Sequence, residues 1–367
     1  MTLDLTATTD GLAAAAADLV RLAPGALVDP VLSGLLITAD ATGATLAASD
    51  RERSAAVRCS ASVHADGRVL VPARPLAETL KALTAPRVRL VVEGSRLAIR
   101  TDDARYALPL LDAALHPGVP EPPTRPNGVV AAHHLSTALT TVAGTASRDD
   151  ALPLFTGVRV QSEDDHLVLR ATDRYRMAIA TLPWTPTGPP VDALVPATLL
   201  SEVAKQVDGD VHVHAAHNHF TLSWNRTTAT TAVLDGTFVT EAAVQLSKVD
   251  TEVIVDADAL LAATRRTSLY ADPRGVITLT PTDTALHLHA TNPQTGEAEE
   301  SVKATTLGGR TTPAYQSRFL LDALRPFAGT QVRLSIQPGL RATTLTAEHP
   351  GEVTIRYILV PIRHTPH

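Results

Sequence analysis

The chain has 367 residues, of which 44% are hydrophobic, and it carries a formal net charge of −6. This length allows two or three domains, each with enough apolar residues to bury its own core. The acidic balance argues against a protein that coats nucleic acid with its whole surface, but it leaves room for one basic face on an acidic body.

A single cysteine, Cys59, cannot form an internal disulfide and is expected to be a small apolar residue in a strand. No apolar run approaches the roughly 18 residues that a membrane span needs, and no basic, apolar leader precedes the first predicted helix. We therefore expect a cytoplasmic protein.

The first third of the chain predicts a helix, several strands, a second helix and a strand hairpin. Asp10 can cap a helix that runs to about Leu22. Alternating or buried apolar runs predict strands at residues 31–37, 44–48 and 55–63. Leu76 and Leu80 give the next helix an apolar stripe, and a proline-rich joint at 117–126 ends this part.

The same order of elements is predicted twice more. The middle third has a helix at about 132–145, strands at 154–161 and 167–172, and a loop at 183–190. The last third has a helix at about 258–267, a strand at 275–280 and a hairpin into 285–290. A loop is predicted at 292–300, and the final strand at 353–360.

One helical stretch occurs three times, at residues 71–83, 195–207 and 317–327. Each copy places an acid three residues before a base, and the copies lie about 120 residues apart. The pairs are Glu78 with Lys81, Glu202 with Lys205, and Asp322 with Arg325. A repeat at a near-fixed interval defines the architecture, so we predict three domains, at residues 1–125, 126–250 and 251–367.

Four short motifs carry a resemblance to a known family. They are ATDRYRMA at 171–178, SRFLLD at 317–322, Asn292-Pro293 followed by EAEE at 297–300, and YILVPIR at 357–363. With them the chain resembles the bacterial sliding clamp, the beta subunit of the DNA polymerase III holoenzyme, in an actinobacterial-like form. The resemblance implies an α+β fold of three repeated DNA-clamp domains, each with two helices packed on antiparallel sheets. It also implies a ring that closes as a head-to-tail homodimer.

Such a clamp must hold double-stranded DNA and still slide along it. It should therefore touch phosphates weakly through Lys and Arg and avoid reading bases. The candidate DNA-facing residues, all on predicted helices, are Arg21, Lys81, Arg148, Lys205, Arg265, Arg266 and Arg325. The alternative for each of them is an ordinary solvated surface charge.

The resemblance also implies a pocket for linear motifs of the polymerase III alpha subunit, the clamp loader and other partner proteins. A mostly apolar cleft with a few polar anchors suits such motifs. The candidate pocket residues are Phe155, Thr172, Arg174, Tyr175, Arg176, Met177, Leu246, Ile358, Val360, Pro361, Ile362 and Arg363. For Met177, Ile358 and Ile362 the alternative is ordinary core packing.

Residues 238–248 depart from the family pattern. Members of the family carry an aromatic, basic and proline-containing segment there, whereas this chain has Leu246 at the expected proline and lacks the basic residues. An alternative function is therefore a specialised second copy of the clamp with an altered pocket, for example one that tolerates a pocket-directed inhibitor.

The resemblance places the dimer contact at Tyr106 and Leu108 of one chain and at Ser268 and Leu269 of the other. Ser268 stands where the family has a larger apolar residue, which predicts a weaker interface. Charge pairs at the rim are expected from a further set of residues, namely Arg105 and Arg274 with Glu297, Glu299 and Glu300.

Enzymatic alternatives find little support in the sequence. Phosphate-loop, dinucleotide, zinc-protease and serine-hydrolase motifs are absent, so we expect no catalytic residues, no metal and no cofactor. An ATP-driven loader is expected to open the ring. Two remote alternatives are a scaffold repeat protein and a metal protein built on the histidine cluster His212, His214, His217 and His219.

Overall fold

The computed structural model describes residues 2–22, 29–239 and 248–363. These residues form two compact units. Unit 1 comprises Met1–Ser136 and Trp184–Val233, and unit 2 comprises Thr137–Pro183 and Leu234–His367. Along the chain, one order of helices and strands occurs three times, and we call these three copies repeats 1, 2 and 3.

The described part of repeat 1 contains two helices and nine strands. In chain order they are β1 (Asp4–Thr8), α1 (Thr9–Leu22), β2 (Gly34–Asp40), β3 (Gly43–Ser49), β4 (Arg53–Cys59), β5 (Ala61–Ala65), β6 (Gly67–Pro72), α2 (Ala73–Ala82), β7 (Arg87–Glu93), β8 (Arg96–Arg100) and β9 (Arg105–Pro109).

Repeat 2 has the same order and, among its described residues, adds two 3₁₀ turns, Ala143–Thr145 and Pro153–Thr156. Its elements are β10 (Gly128–Ala131), α3 (Ala132–Val142), β11 (Gly157–Glu163), β12 (His166–Thr172), β13 (Arg176–Pro183), β14 (Thr185–Pro186), β15 (Asp192–Pro196), α4 (Ala197–Val203), β16 (Asp210–Ala215), β17 (His219–Trp224) and β18 (Thr227–Ala232).

Repeat 3 has one strand fewer, and a 3₁₀ turn follows each of its helices, Ser268–Tyr270 and Arg325–Phe327. Its elements are β19 (Thr251–Asp256), α5 (Ala257–Thr267), β20 (Val276–Pro281), β21 (Ala285–Asn292), β22 (Gly296–Gly308), β23 (Ala314–Gln316), α6 (Ser317–Leu324), β24 (Gln331–Ile336), β25 (Thr343–Ala347) and β26 (Thr354–Leu359).

The helices bury the stripes that their sequences predict. Leu12 and Leu19 of α1 are fully buried, and so is Leu76 of α2, because residues three or four apart share one helix face. Lys81 lies off that stripe and is exposed, as predicted. The Asp256 carboxylate caps α5 by accepting the N–H of Ala259 at 2.8 Å.

Unit 1 holds two antiparallel sheets. One has the strand order β5-β1-β7-β8-β9, and the other has the order β14-β10-β16-β17-β18-β4-β3-β2-β6. The second sheet is continuous across two repeats because β18, the last strand of repeat 2, pairs with β4 of repeat 1.

The strands of unit 2 pair in the order β11-β12-β13-β26-β25-β24-β19-β22-β21-β20-β23. Here β26, the last strand of repeat 3, pairs with β13 of repeat 2, and Met177 lies opposite Ile358. Repeats are therefore joined by the same kind of strand pair in both units.

Several predicted elements differ in the structure. The strand predicted at 31–37 begins only at Gly34, and the single strand predicted at 55–63 consists of parts of β4 and β5, which lie in different sheets. The strand predicted from residue 154 begins only at Gly157, because Pro153 opens a 3₁₀ turn and has no N–H for a ladder. Residues 292–300, predicted as a loop, form a tight turn and the start of β22, where Asn292 pairs with Gly296 and His289 with Glu299. The acidic residues within 297–300 therefore lie on a strand that pairs with β21 and not in a loop.

None of the helices in the described ranges combines the length and the apolar character that a membrane span requires.

Candidate peptide pocket and DNA-facing residues

The predicted pocket is centred on the turn at residues 172–176 between β12 and β13. The Asp173 carboxylate accepts the backbone N–H groups of Tyr175 at 3.0 Å and Arg176 at 3.1 Å. The Thr172 hydroxyl accepts the N–H of Arg174 at 3.1 Å. Arg174 has φ of 81°, in the left-handed region that non-glycine residues seldom adopt. Short polar side chains thus fix the turn and hold Arg174 in a strained conformation.

Arg176 lies beneath this turn and not on the wall of the pocket, which corrects the sequence prediction. Strand alternation turns its side chain to the opposite face from Met177, and Arg176 is 9% exposed. Its guanidinium donates to Asp173 at 2.8 Å, Asp322 at 2.7 Å and the Tyr357 hydroxyl at 3.1 Å. One buried cation therefore ties the turn to α6 and to β26.

Electrostatics keep this buried group charged. Burial alone would lower the pKa of Arg176, but Tyr357 and the two carboxylates raise it overall. Burial also raises the pKa of Tyr357, so its hydroxyl stays protonated. The cluster is an ion pair network with its hydrogen bonds satisfied.

Aromatic and cationic side chains form the exposed surface above the cluster. Tyr175, 50% exposed, stacks on Phe319 with ring centroids 6.0 Å apart. The Arg318 guanidinium lies 4.4 Å from the Phe319 ring centre, and that of Arg174 lies 5.9 Å from the Phe155 ring centre. Such contacts are worth about 0.5–1 kcal/mol each when exposed. Sequence reasoning missed Phe319 and Arg318 as site residues, although both lie within the SRFLLD motif.

The chain after β26 runs beside this surface. Val360 donates its N–H to the Tyr175 carbonyl at 3.0 Å, and Ile362 donates its N–H to the Ala314 carbonyl at 2.8 Å. Val360 is 37% exposed, Pro361 is buried and Arg363 is exposed. The terminal motif thus lies directly beside the turn at 172–176.

Three predicted pocket residues are core residues in this structure. Thr172, Met177 and Ile358 are 5%, 2% and 3% exposed, which agrees with the core alternative for Met177 and Ile358. Ile362 is half-buried. Leu246 lies outside the described residues, as does most of the segment 238–248.

The candidate DNA-facing residues fall into two groups. Four form ion pairs with neighbouring acids: Arg21 with Asp18 (2.5 Å), Lys205 with Glu202 (2.7 Å), Arg266 with Glu300 (2.5 Å) and Arg325 with Asp322 (2.6 Å). Three are exposed and form no ion pair with another described residue: Lys81, Arg148 and Arg265. The paired cations present a weakened positive field.

Three of these residues lie beyond the helices on which they were predicted. Arg148 follows the 3₁₀ turn Ala143–Thr145, and Lys205 follows α4. Arg325 opens a 3₁₀ turn because Pro326 has no N–H with which to continue α6.

Two of the predicted dimer residues have large apolar side chains that are exposed to solvent. Leu269 is 73% exposed and Tyr106 is 45% exposed, while Leu108 is half-buried. The Ser268 hydroxyl donates to the Arg265 carbonyl at 2.7 Å.

Three of the five predicted rim charges form ion pairs within the chain, and their pairing across a dimer stays a prediction. The existing contacts are Arg105 with Glu93, Arg274 with Asp272, and Glu300 with Arg266. Glu297 and Glu299 are exposed.

The four histidines of the predicted cluster lie on β16, at the start of β17 and in the turn between these strands. His212 and His214 share one face of β16, as predicted, but His214 is buried and lies 3.3 Å from the Ser223 hydroxyl. Burial lowers the pKa of His214 and keeps the ring neutral. His217 is exposed and His219 is half-buried.

A triple repeat in which the end strand of one copy completes the sheet of another defines a protein of the clamp class. The family models for the N-terminal, central and C-terminal domains of the DNA polymerase III beta subunit match residues 3–120, 129–240 and 247–363. The chain belongs to the DNA polymerase III beta subunit family.

Individual relatives support the same family assignment. The beta sliding clamp of Streptomyces coelicolor is 30% identical over 369 residues, covering 96% of this chain and 97% of the relative. That of Micrococcus luteus is 32% identical over 284 residues, covering 75% and 91%. The crystal structure of the Bacillus subtilis sliding clamp shares the fold with a TM-score of 0.93 at 21% identity, covering 100% of both chains. The predicted fold of three clamp domains is confirmed, while the boundaries after residues 125 and 250 stay a prediction.

Proposed function

We propose that this protein is a DNA sliding clamp, which encircles duplex DNA as a head-to-tail homodimer and tethers the replicative polymerase to its template. Its contribution is processivity and not catalysis. The relatives from Streptomyces coelicolor and Micrococcus luteus are both named beta sliding clamps, which favours this function over a specialised second copy, a metal protein or a scaffold.

The strand pairs that join the repeats carry the proposal. β4, β13 and β22 occupy the same place in the three repeats, and β9, β18 and β26 each end a repeat. Within the chain β18 pairs with β4 and β26 pairs with β13. The remaining members of the two sets are β9 and β22. By the same rule, β9 of one chain pairs with β22 of a second chain.

Both remaining strands are available for such pairing. β9 is the edge of its five-stranded sheet. Within the described ranges, residues 296–303 of β22 pair with β21 alone. An open strand edge readily accepts another strand, and two identical heterologous contacts close a ring of two chains. Tyr106 on β9 and Leu269 in the turn that packs on β22 would lose their exposure there.

The DNA-facing charges suit a protein that must move along its ligand. Phosphate contacts supply attraction without sequence preference, and the acids beside Arg21, Lys205 and Arg325 weaken each contact. We assign the basic residues of the predicted set to this weak backbone contact. A ring holds DNA by topology, so strong contacts are unnecessary.

Partner proteins dock at the surface around Tyr175. The exposed ring of Tyr175 and the half-buried ring of Phe155 offer apolar contact, and the guanidiniums of Arg174 and Arg318 offer charge-assisted hydrogen bonds. A short peptide with an apolar side chain beside a polar or acidic one fits this chemistry. The polymerase III alpha subunit and the clamp loader are the partners proposed for it, and the loader supplies ATP hydrolysis for ring opening.

The decisive experiment separates topological holding from ordinary binding. The protein is loaded by an ATP-driven loader onto nicked circular DNA, isolated with it, and then exposed to a restriction enzyme that linearises the circle. A ring slides off the ends, so retention should fall after cutting. Retention that is equal on circular and linear DNA would refute the proposal.

A further inference from the structure

The turn that forms the candidate peptide pocket in unit 2 has a close copy in unit 1, at residues 49–53. The Asp50 carboxylate accepts the N–H groups of Glu52 at 3.0 Å and Arg53 at 2.5 Å, and the Ser49 hydroxyl accepts that of Arg51 at 3.3 Å. Arg51 has φ of 84°, close to the 81° of Arg174. The backbone support of the pocket therefore exists twice.

The end strands complete the correspondence. The N–H of Ala232, at the end of β18, donates to the Glu52 carbonyl at 2.8 Å, as the N–H of Val360 after β26 donates to the Tyr175 carbonyl. The residue pair Ser54 and Thr230 thereby occupies the place that Met177 and Ile358 hold in unit 2. Unit 1 presents a similar backbone with hydroxyl groups in place of apolar side chains.

A cavity of about 670 Å³ lies on the same face of unit 1. Its apolar wall is formed by Leu36, Ala47 and Ala56, which are neighbours across β2, β3 and β4. Val119, in the segment between repeats 1 and 2, packs against this wall. Within that segment the Nδ1 of the buried His116 accepts the N–H of Gly118 at 3.1 Å, which forms a local turn. The cavity is thus formed before any ligand binds.

A row of cationic and hydroxyl side chains crosses the sheet beside the apolar wall. Arg68, Thr38, Thr45 and Arg58 lie opposite one another across four neighbouring strands. At about 4.8 Å per strand, the Cα atoms of Arg68 and Arg58 are about 14 Å apart. Arg226 is next to Arg58, whose N–H donates to the Arg226 carbonyl at 2.9 Å. We call this cavity, with its three arginines, the hydroxyls of Thr38 and Thr45 and its apolar wall, the arginine groove.

The guanidiniums have unused hydrogen-bonding capacity. No side-chain hydrogen bond joins Arg58 or Arg68 to another residue in the described ranges, and Arg226 donates through Nη1 to the Ser60 hydroxyl. Two acids, Asp40 and Glu121, also line the groove. The Asp40 carboxylate already accepts the N–H and hydroxyl of Thr42. Three cations against two carboxylates leave the groove positive on a chain whose net charge is −6.

The fold does not require these arginines. The registers of the two equivalent strand pairs place Arg58 at the position of Thr181 in unit 2, and Arg226 at the position of Thr354. Unit 2 has the same strands at these places without the charges. The arginines at these two positions are therefore specific to unit 1, whereas the cavity on the matching face of unit 2 is lined by Arg170 and Arg356 at other positions.

We propose that the arginine groove is a second docking site, which binds an acidic linear peptide segment. Carboxylates of the peptide would bind the guanidiniums and the two threonine hydroxyls, and an intervening apolar side chain would lie on the wall. The described residues that line the groove include no aromatic ring on which bases could stack, which favours a peptide over single-stranded nucleic acid. The site is independent of the pocket around Tyr175.

Fluorescence anisotropy with the full-length protein tests this assignment. The probe is a fluorescein-labelled peptide of alternating Glu and Leu, and its Gln-for-Glu counterpart is the control peptide. The double variant Arg58→Glu, Arg226→Glu should weaken binding by about tenfold or more, the loss expected from one or more charge-assisted hydrogen bonds. The control variant is Arg87→Glu, which changes an exposed arginine of β7 outside the groove. It should bind the Glu peptide with wild-type affinity.

Thr45→Val is the second variant, because it removes a hydroxyl without changing charge or β-branching. It should weaken the Glu peptide while the melting temperature and retention on circular DNA stay at wild-type values. Equal affinity of the wild type and the double variant would overturn the proposal. It would also be overturned if a labelled single-stranded oligonucleotide bound more tightly than the peptide and lost affinity in the same variants, since the groove would then be a nucleic-acid site.

Discussion

Replacing Arg176 by glutamine tests whether the buried ion pair cluster shapes the peptide pocket from beneath. The substitution removes the donors to Asp173, Asp322 and Tyr357 and leaves two carboxylates facing a vacated site. Breaking a buried pair by removing one partner costs about 3–5 kcal/mol. Because Asp322 is 34% exposed and keeps Arg325 as a partner, we expect the lower end of that range.

The substitution should also weaken peptide binding, because Arg176 supports the aromatic side chains of the pocket surface. Its guanidinium also lies 4.8 Å from the ring centre of Phe319, on which Tyr175 stacks. Without it, the turn and the aromatic surface lose a common anchor. Arg176→Gln should therefore lower both the unfolding free energy and the affinity for a consensus clamp-binding peptide, although the side chain itself is 9% exposed.

The assay combines urea unfolding with peptide anisotropy on the same samples. Arg174→Gln is the matched control, because Arg174 is exposed above the turn and should affect peptide affinity with little effect on stability. Arg176→Lys keeps the charge but loses the forked geometry and should fall between wild type and Arg176→Gln. Wild-type peptide affinity in a destabilised Arg176→Gln protein would refute the positioning role.

Three further predictions concern the ring, the DNA contact and pH. Leu269→Asp places a charge in the proposed interface and should yield monomers in sedimentation equilibrium; a persistent dimer would contradict the assignment. Neutralising Lys81, Lys205 and Arg325 should flatten the salt dependence of DNA loading, by about 0.9 in logarithmic slope per lost phosphate contact, and an unchanged slope would remove them from the DNA-facing surface. Burial lowers the pKa of His214 in the folded protein. Below the ordinary pKa, the His214 imidazole is therefore protonated in the unfolded chain but stays neutral in the folded one. Stability should therefore be complete above the ordinary pKa of about 6.5 and decline as pH falls below it, and His214→Gln should show a smaller fall in melting temperature.

Local patterns predicted the elements that depend on local physics. The leucine spacing of α1 and α2 is enough to define a buried face, and the triple recurrence of one helical stretch is enough to define the repeat. The polar segment 292–300 misled the prediction, because exposed acids indicate loops and open strands equally well. Its pairing with β21 depends on contacts that composition does not encode.

The pocket was predicted less completely than the fold. The motif at 171–178 located the turn, but the partners of Arg176 come from residues 146 and 181 positions further along the chain. No periodicity connects such distant positions, so the sequence could not distinguish a wall residue from a buried anchor. Phe319 and Arg318 were missed for the same reason, since only the folded chain brings α6 beside the turn.

The duplicated turn shows how repetition and specialisation coexist in one chain. Both copies keep an acid that accepts two backbone N–H groups and an arginine with positive φ, because these features hold the junction between two repeats. The side chains facing outward are free of that constraint. Unit 2 uses this freedom for an aromatic surface around Tyr175, and unit 1 uses it for hydroxyls and arginines. The demands of the junction therefore explain why the backbone is repeated, and the absence of such demands on the outer face explains how one fold can carry two different docking chemistries.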